Sequence, residues 1–361
     1  MRLGGAPTAW ITALLLSLGA GCVPSESPEV RVAGSGSTAG GGDSHANVDD
    51  SAHSGDSSPD SNVDSNVDSG ADSGVLSLRV AVVSDLNGSY GSTSYSSAVD
   101  DAVSAILADP PDLVLSTGDM VAGQKSGLDY AAMWDGFHEA VSDRLAAARI
   151  PFAVTPGNHD ASDYAGYEGE RDVFEATWAD RKPDLDFVDD AHYPFRYAFR
   201  MNNVLFVSLD DTLVGPLDSA QSAWLADVLD TPAAARIVYG HVPLYPFTEG
   251  RQTEALFDSD LEDLLVAHSV TVFISGHHHA YYPGRRDALR LVGTACLGDG
   301  PRALLGTAQT SERAVLRLTL TDGAIDTLDA YAGDGFDTVI QRSSLPVSVG
   351  SGSDVIDRDD R

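Results

Sequence analysis

The sequence predicts an α/β domain with two packed mixed sheets flanked by helices, and three observations carry that prediction. Short branched-apolar runs alternate with helical apolar spacing from Leu78 to Val154, the pattern of βαβ units and a largely parallel sheet. A second series of apolar runs, from Phe195 to Ala330, is too long to join the same layer. Aromatic and branched apolar residues are sparse before Leu76 and after Ile340, so the hydrophobic core must form between those limits.

The first strand is expected at Leu78–Val83 and its helix at Ala98–Leu107, followed by Leu113–Leu115, a helix over Tyr130–Ala147, and Phe152–Val154. A more polar stretch, Ala161–His192, precedes a hairpin, Phe195–Arg200 and Val204–Leu209, turned at Asn202–Asn203. Helices over Ser219–Leu229 and Glu254–His268 precede the strands Ile237–Tyr239 and Val270–Ser275. Closing strands are expected near Leu289–Val292, Val315–Leu320 and Ile325–Ala330.

The rest of the chain is read from composition. Residues 1–22 have the layout of an export signal: Arg2, an apolar run from Trp10 to Leu18, then Gly19-Ala20-Gly21. That run is too short to span a bilayer. Cys22, directly after it, resembles the lipidated cysteine of bacterial lipoproteins, which implies an exported protein of the cell envelope, tied to a membrane only through a lipid on Cys22. If Cys22 is not lipidated, the product is secreted. Residues 23–76 are rich in Ser, Gly and Asp and are expected to form a disordered tether reaching on the order of 40 Å. The domain is placed at 77–340, with a polar tail at 341–361.

Fifty-four acidic residues against 22 basic ones give a formal charge of −32, so polyanions are repelled at long range and nucleic acid is not an expected partner. Two cysteines, Cys22 and Cys296, provide neither a disulfide framework nor a CxxC site.

Five apolar strands run into clusters of metal-ligand side chains: Asp85-Leu86-Asn87, Asp119, Asn158-His159-Asp160, His241 and His277-His278-His279. Strand ends on one edge of an α/β sheet converge on one crevice. Taken singly, each cluster has an ordinary reading as a helix cap, a turn or a packed histidine. Three consecutive histidines behind an apolar strand are harder to dismiss, because alternate residues can face one centre. A glycine precedes four of the clusters and is expected to let the backbone turn sharply.

Asp85-x-Asn87, Gly118-Asp119, Gly157-Asn158-His159-Asp160, Gly240-His241 and Gly276-His277-x-His279, in this order, resemble the signature of calcineurin-like metallophosphoesterases over the whole domain. The run His279-Ala280-Tyr281-Tyr282 is also similar to the purple acid phosphatase branch. The resemblance implies a four-layer α/β/β/α sandwich holding two divalent metal ions. It makes Asp119 the bridging carboxylate, with Asp85, Asn87 and His279 on the first metal and Asn158, His241 and His277 on the second. His159 is implied beside the substrate, oriented by Asp160, with His278 outside the ligand set. The family usually has His where Asn87 stands, and the purple branch has a Tyr ligand where this chain has Ala122. A purple iron(III) centre is therefore not expected. The donor set favours manganese, iron(II) or magnesium at the first site and also accepts zinc at the second.

Chemistry points the same way. Phosphate esters are anionic, so a site must cancel charge, supply a nucleophile at neutral pH and stabilise the leaving oxygen. A hydroxide between two divalent ions does all three. The expected function is metal-dependent hydrolysis of small phosphomonoesters or diesters; the alternative is a catalytically silent, surface-binding lipoprotein of the same fold. Ala161–His192 and the loop Tyr245–Gln252 are expected to shape the pocket, with Arg251, Arg285 and Arg286 as candidate phosphate contacts.

Overall fold

The computed structural model describes residues 76–361. The expected export signal and lipidation site at Cys22, and the expected tether up to residue 75, lie outside the described residues. Among those described, no helix is long and apolar enough to cross a membrane.

The first half runs β1 (Ser77–Val83), α1 (Ser97–Ala108), β2 (Leu113–Ser116), α2 (Tyr130–Phe137), α3 (Asp143–Ala147), β3 (Phe152–Ala153) and α4 (Glu168–Ala179). There follow β4 (Asp186–His192), β5 (Arg196–Met201), β6 (Val204–Ser208), α5 (Ser219–Leu229), β7 (Ala235–Tyr239), α6 (Ser259–Ala267) and β8 (Val272–Ser275). The chain closes with β9 (Tyr282–Arg286), β10 (Leu289–Gly293), β11 (Val315–Thr321), β12 (Ala324–Ala332), β13 (Thr338–Val339), β14 (Ser348–Val349) and β15 (Ile356–Arg358).

The strands form two mixed sheets. The first has the order β13-β12-β11-β1-β2-β3, and the second β14-β15-β9-β10-β8-β7-β6-β5-β4. Strand alternation sorts the side chains into layers. Val80 and Val82 of β1 enter a core shared with Tyr197, Phe206, Ile237 and Ile274 of the second sheet. Their neighbours Ala81 and Val83 face the opposite way, against α1, α2 and α4. A third core packs α5 and α6 on the outer face of the second sheet. This is the four-layer α/β/β/α arrangement, and each fully buried Val, Leu or Ile in it contributes about 1.5–3 kcal/mol.

Several elements differ from the sequence expectation. The helix expected over Tyr130–Ala147 is interrupted by a π-helical turn at His138–Ser142, where His138 Nδ1 meets Ser142 Oγ at 2.7 Å. Helix α6 starts five residues later than expected, because Asp258 caps it by accepting from Leu261 N–H at 2.9 Å. Glu254 therefore belongs to a loop. The stretch 161–192 holds α4 and the edge strand β4, whose charged residues suit an edge and mask the strand pattern.

The polar tail at 341–361 needs correction. Residues 356–358 pair with β9, Arg358 opposite Gly284, and β14 pairs with β15. The domain extends to the end of the described chain, held by charged side chains rather than the apolar runs that composition detects.

Candidate metal centre

The parallel strands β1, β2 and β3 lie in register, Val83 beside Ser116 and Leu115 beside Ala153. Their C-terminal ends deliver Asp85, Asp119 and Asn158-His159-Asp160 to one edge. In the second sheet, parallel β7 and β8, with Tyr239 beside Ile274, deliver His241 and His277-His278-His279 to the same crevice. The cleft has a volume of about 510 Å³, and Asn87, Asp119, Asn158, His159, His277 and His279 all line it.

Ligand atoms of Asp85, Asp119 and His279 lie within 4.8 Å of one another. His279 Nδ1 faces the Gly300 carbonyl at 3.0 Å. A carbonyl only accepts, so the proton is on Nδ1 and the Nε2 lone pair points at Asp85 Oδ1, 3.1 Å away. Asp85 Oδ1 is itself buried without a well-aligned hydrogen-bond donor. His241 repeats the arrangement: Nδ1 faces the Thr117 carbonyl at 2.8 Å, and Nε2 looks at Asn158 Oδ1 (3.0 Å) and Asp119 Oδ1 (3.4 Å). Acceptors facing acceptors in a buried site call for a cation between them, so the residues fit divalent metal ions.

The electrostatics of the metal-free chain agree. Burial opposes charge on His241, yet Asp119 and Asp85 outweigh it and push the imidazole up to about 10. Burial likewise opposes charge on His279, and Asp85 raises it to about 10. Protons thus occupy the place of the cations. Asp119 is buried as well, which would raise its pKa, but His241 and His159 hold it well below the usual carboxylate range.

His277 behaves differently. Its Nε2 meets Glu254 Oε2 at 3.2 Å, leaving Nδ1 as the nitrogen free to bind a metal, and burial lowers its pKa to about 4. Its ring stands 5.0 Å from that of His241. Asn87 and Asn158 spend their amide N–H groups on the Val121 carbonyl (3.2 Å) and Gln124 Oε1 (3.1 Å), which frees their oxygens. His278 turns into the core, with Nε2 on the Glu254 carbonyl at 2.8 Å and its ring 4.6 Å from Phe247.

The expected pairing of His159 with Asp160 is not present. His159 Nδ1 faces the Gly123 carbonyl at 3.2 Å, and its ring packs 5.4 Å from Tyr90. Asp160 instead accepts from Val121 N–H (2.8 Å) and Gly157 N–H (2.9 Å), tying the second ligand loop to the third. Burial and Asp119 push Asp160 up to about 8. An acid next to a histidine in sequence can face away from it, because successive residues in a tight turn diverge. Arg286 is also misplaced by the sequence reading: it pairs with Glu262 at 2.7 Å and holds the Ser353 and Val355 carbonyls. Arg285 lies opposite Asp357 in the strand ladder. Of the three expected arginines, only Arg251 lines the cleft.

Glu254, Gln124, Tyr90 and Arg302 also line it, unremarked by sequence reasoning because none belongs to a strand-end cluster. Of the four glycines before the clusters, Gly118 takes the expected turn, with φ at 92°, and the other three do not. A side chain at Gly157 would place its Cβ 2.1 Å from the Asp119 backbone nitrogen, so this glycine permits close approach rather than a sharp turn. The left-handed backbone falls on ligand candidates themselves: φ is 48° at Asp85, 54° at Asp119, 63° at His277 and 53° at His279.

Residues 78–281 match the family model of the calcineurin-like phosphoesterases. The chain belongs to that family, whose members are phosphoesterase hydrolases using divalent metal ions. Among curated proteins, purple acid phosphatase 18 of Arabidopsis thaliana is 30% identical over 173 residues, 46% of this chain and 38% of that protein. Among solved structures, the purple acid phosphatase PPD1 from yellow lupin seeds superposes with a TM-score of 0.56 at 17% identity, over 74% of this chain and 53% of that one. PhoD gives 0.51 at 12% identity, over 73% and 72%. GAP50, the anchor in the inner membrane complex of Plasmodium, gives 0.50 at 15%, over 73% and 87%. At such identities these structures share the fold. This chain spans well under two thirds of the two purple acid phosphatases.

Proposed function

We propose that the chain hydrolyses small phosphate esters at a centre of two divalent metal ions. Asp85, Asn87 and His279 would hold one, Asn158, His241 and His277 the other, and Asp119 both. The observation that carries this reading is the facing of buried acceptors: Asp85 Oδ1 against His279 Nε2, and His241 Nε2 against Asn158 and Asp119. Bound there, divalent ions supply Lewis acidity and a nucleophile at neutral pH.

The chain's own groups account for the rest. Backbone carbonyls of Thr117 and Gly300 set the tautomers of His241 and His279, and Glu254 sets that of His277, as outer partners of ligating histidines commonly do. His159, at the cleft wall with Nδ1 donating to the Gly123 carbonyl, can donate from Nε2 to a leaving oxygen in its imidazolium form. With two carboxylates, Asp85 and Asp119, against two divalent cations, the centre is net positive and attracts an anionic ester despite the acidic surface. Export and a lipid anchor on Cys22 complete the proposal, supported by the residue pattern of 1–22.

The decisive experiment is a metal-reconstituted assay on aryl phosphate mono- and diesters. Chelation should abolish turnover, manganese should restore it, and Asp119→Asn should reduce it about 10³-fold or more, because both metals lose a shared ligand. Turnover in exhaustively chelated protein would refute the proposal. Full metal content with no turnover on any ester would favour the silent binding protein.

A further inference from the structure

The cleft holds two guanidinium groups, and they are in different circumstances. Arg251 is ion-paired with Glu254, the carboxylate that also faces His277. Arg302 has no carboxylate within ion-pair distance among the described residues. Its backbone N–H donates to the His279 carbonyl at 3.1 Å, and its Nη1 reaches the His277 carbonyl at 3.4 Å. Those two contacts hold it directly beside the candidate ligands.

The arrangement is costly. Arg302 is partly buried and shares the cleft with Arg251. A chain with 54 acidic and 22 basic residues has carboxylates to spare for neutralising a cation. Nearby Asp299 lines the same cleft yet leans toward Arg313, 3.9 Å away. A partly buried guanidinium with no carboxylate at ion-pair distance gains a direct partner when an anion enters. The planar guanidinium fork matches two phosphate oxygens.

We propose that Arg302 is a specificity-determining residue that binds a terminal oxygen of the substrate phosphoryl group and selects phosphate monoesters over diesters. This rests on the phosphoesterase reading. A monoester has three terminal oxygens and about two negative charges at neutral pH; a diester has two such oxygens and a single charge. A cation beside the centre therefore gains more from the monoester, in charge and in an available oxygen.

The test compares wild type, Arg302→Ala and Arg302→Lys as metal-loaded full chains. Metal content is measured directly, inorganic phosphate is titrated calorimetrically, and kcat/KM is determined for an aryl phosphate and for its methyl diester. For Arg302→Ala, metal content should be unchanged and phosphate affinity at least about tenfold weaker, the scale of one charge-assisted contact. The loss on the monoester, mainly in KM, should exceed that on the diester by about tenfold. Arg302→Lys should recover part of the phosphate affinity, since charge returns without the fork. Unchanged phosphate affinity in Arg302→Ala, or equal losses on both esters, would overturn the proposal. Phosphate binding that depends on Arg302, in a chain that hydrolyses neither ester, would sink the phosphoesterase reading and sustain the anion site.

Discussion

At the scale of single residues, the centre is built from strained backbone. Asp85, Asp119, His277 and His279 all have positive φ, a region that disfavours side chains by about 1–2 kcal/mol each. The strain is held by hydrogen bonds that cross between loops, such as Asp85 N–H to the Gly118 carbonyl at 3.0 Å and His159 N–H to Asp119 Oδ1 at 2.8 Å. Asn87 is the departure from the family pattern that matters most for metal choice. Its amide N–H on the Val121 carbonyl leaves a neutral oxygen donor, harder and weaker than imidazole. Asn87→His should raise first-site affinity for zinc, and Asn87→Ala should lower first-site occupancy by roughly tenfold or more. Metal titration of the three proteins checks this; identical first-site affinities would show that Asn87 is not a ligand.

At the scale of elements, the C-terminal segment is the least expected part of the fold. Arg358 is 3% exposed. Its guanidinium holds the Arg342 and Leu345 carbonyls at 2.5 and 2.6 Å and Asp360 at 2.7 Å. Arg342 in turn is clamped by Asp329 and Asp359. The glycine at 284 makes room for this strand, since a Cβ there would lie 2.4 Å from Ile356 Cγ2. Arg358→Ala should destabilise the domain by about 1–3 kcal/mol, because it empties a buried position and takes the donor from the Arg342 and Leu345 carbonyls. Urea unfolding measures the change; a loss below about 0.5 kcal/mol would mean that the segment is a surface appendage.

At the scale of the whole molecule, the candidate ligands come from both sheets: Asp85, Asp119 and Asn158 from the first, His241, His277 and His279 from the second. A metal ion held by residues of both sheets would tie the two layers together. Binding confined to the folded state stabilises by about 2.7 kcal/mol at a hundredfold excess over Kd. For a domain of this size that corresponds to roughly 5–10 °C in Tm. Chelated protein should therefore melt lower, manganese should restore the difference, and Asp119→Asn should blunt the response. A Tm indifferent to chelation and reloading would argue against metals bridging the sheets.

Residue order alone determined the apolar strands, the alternation with helices and the polar clusters at five strand ends. These are local patterns, and β1, β2, α5, β7, β8, β10, β11 and β12 lie close to where periodicity put them. Tertiary structure decided what depends on neighbours distant in sequence. Glu254 meets His277 because Asp258 delays the start of α6, Asp160 braces Val121 rather than His159, and the charged tail completes a sheet through Arg358. Side-chain partners across loops leave no periodic trace, because hydrogen bonds and ion pairs are set by where backbones pass one another in space.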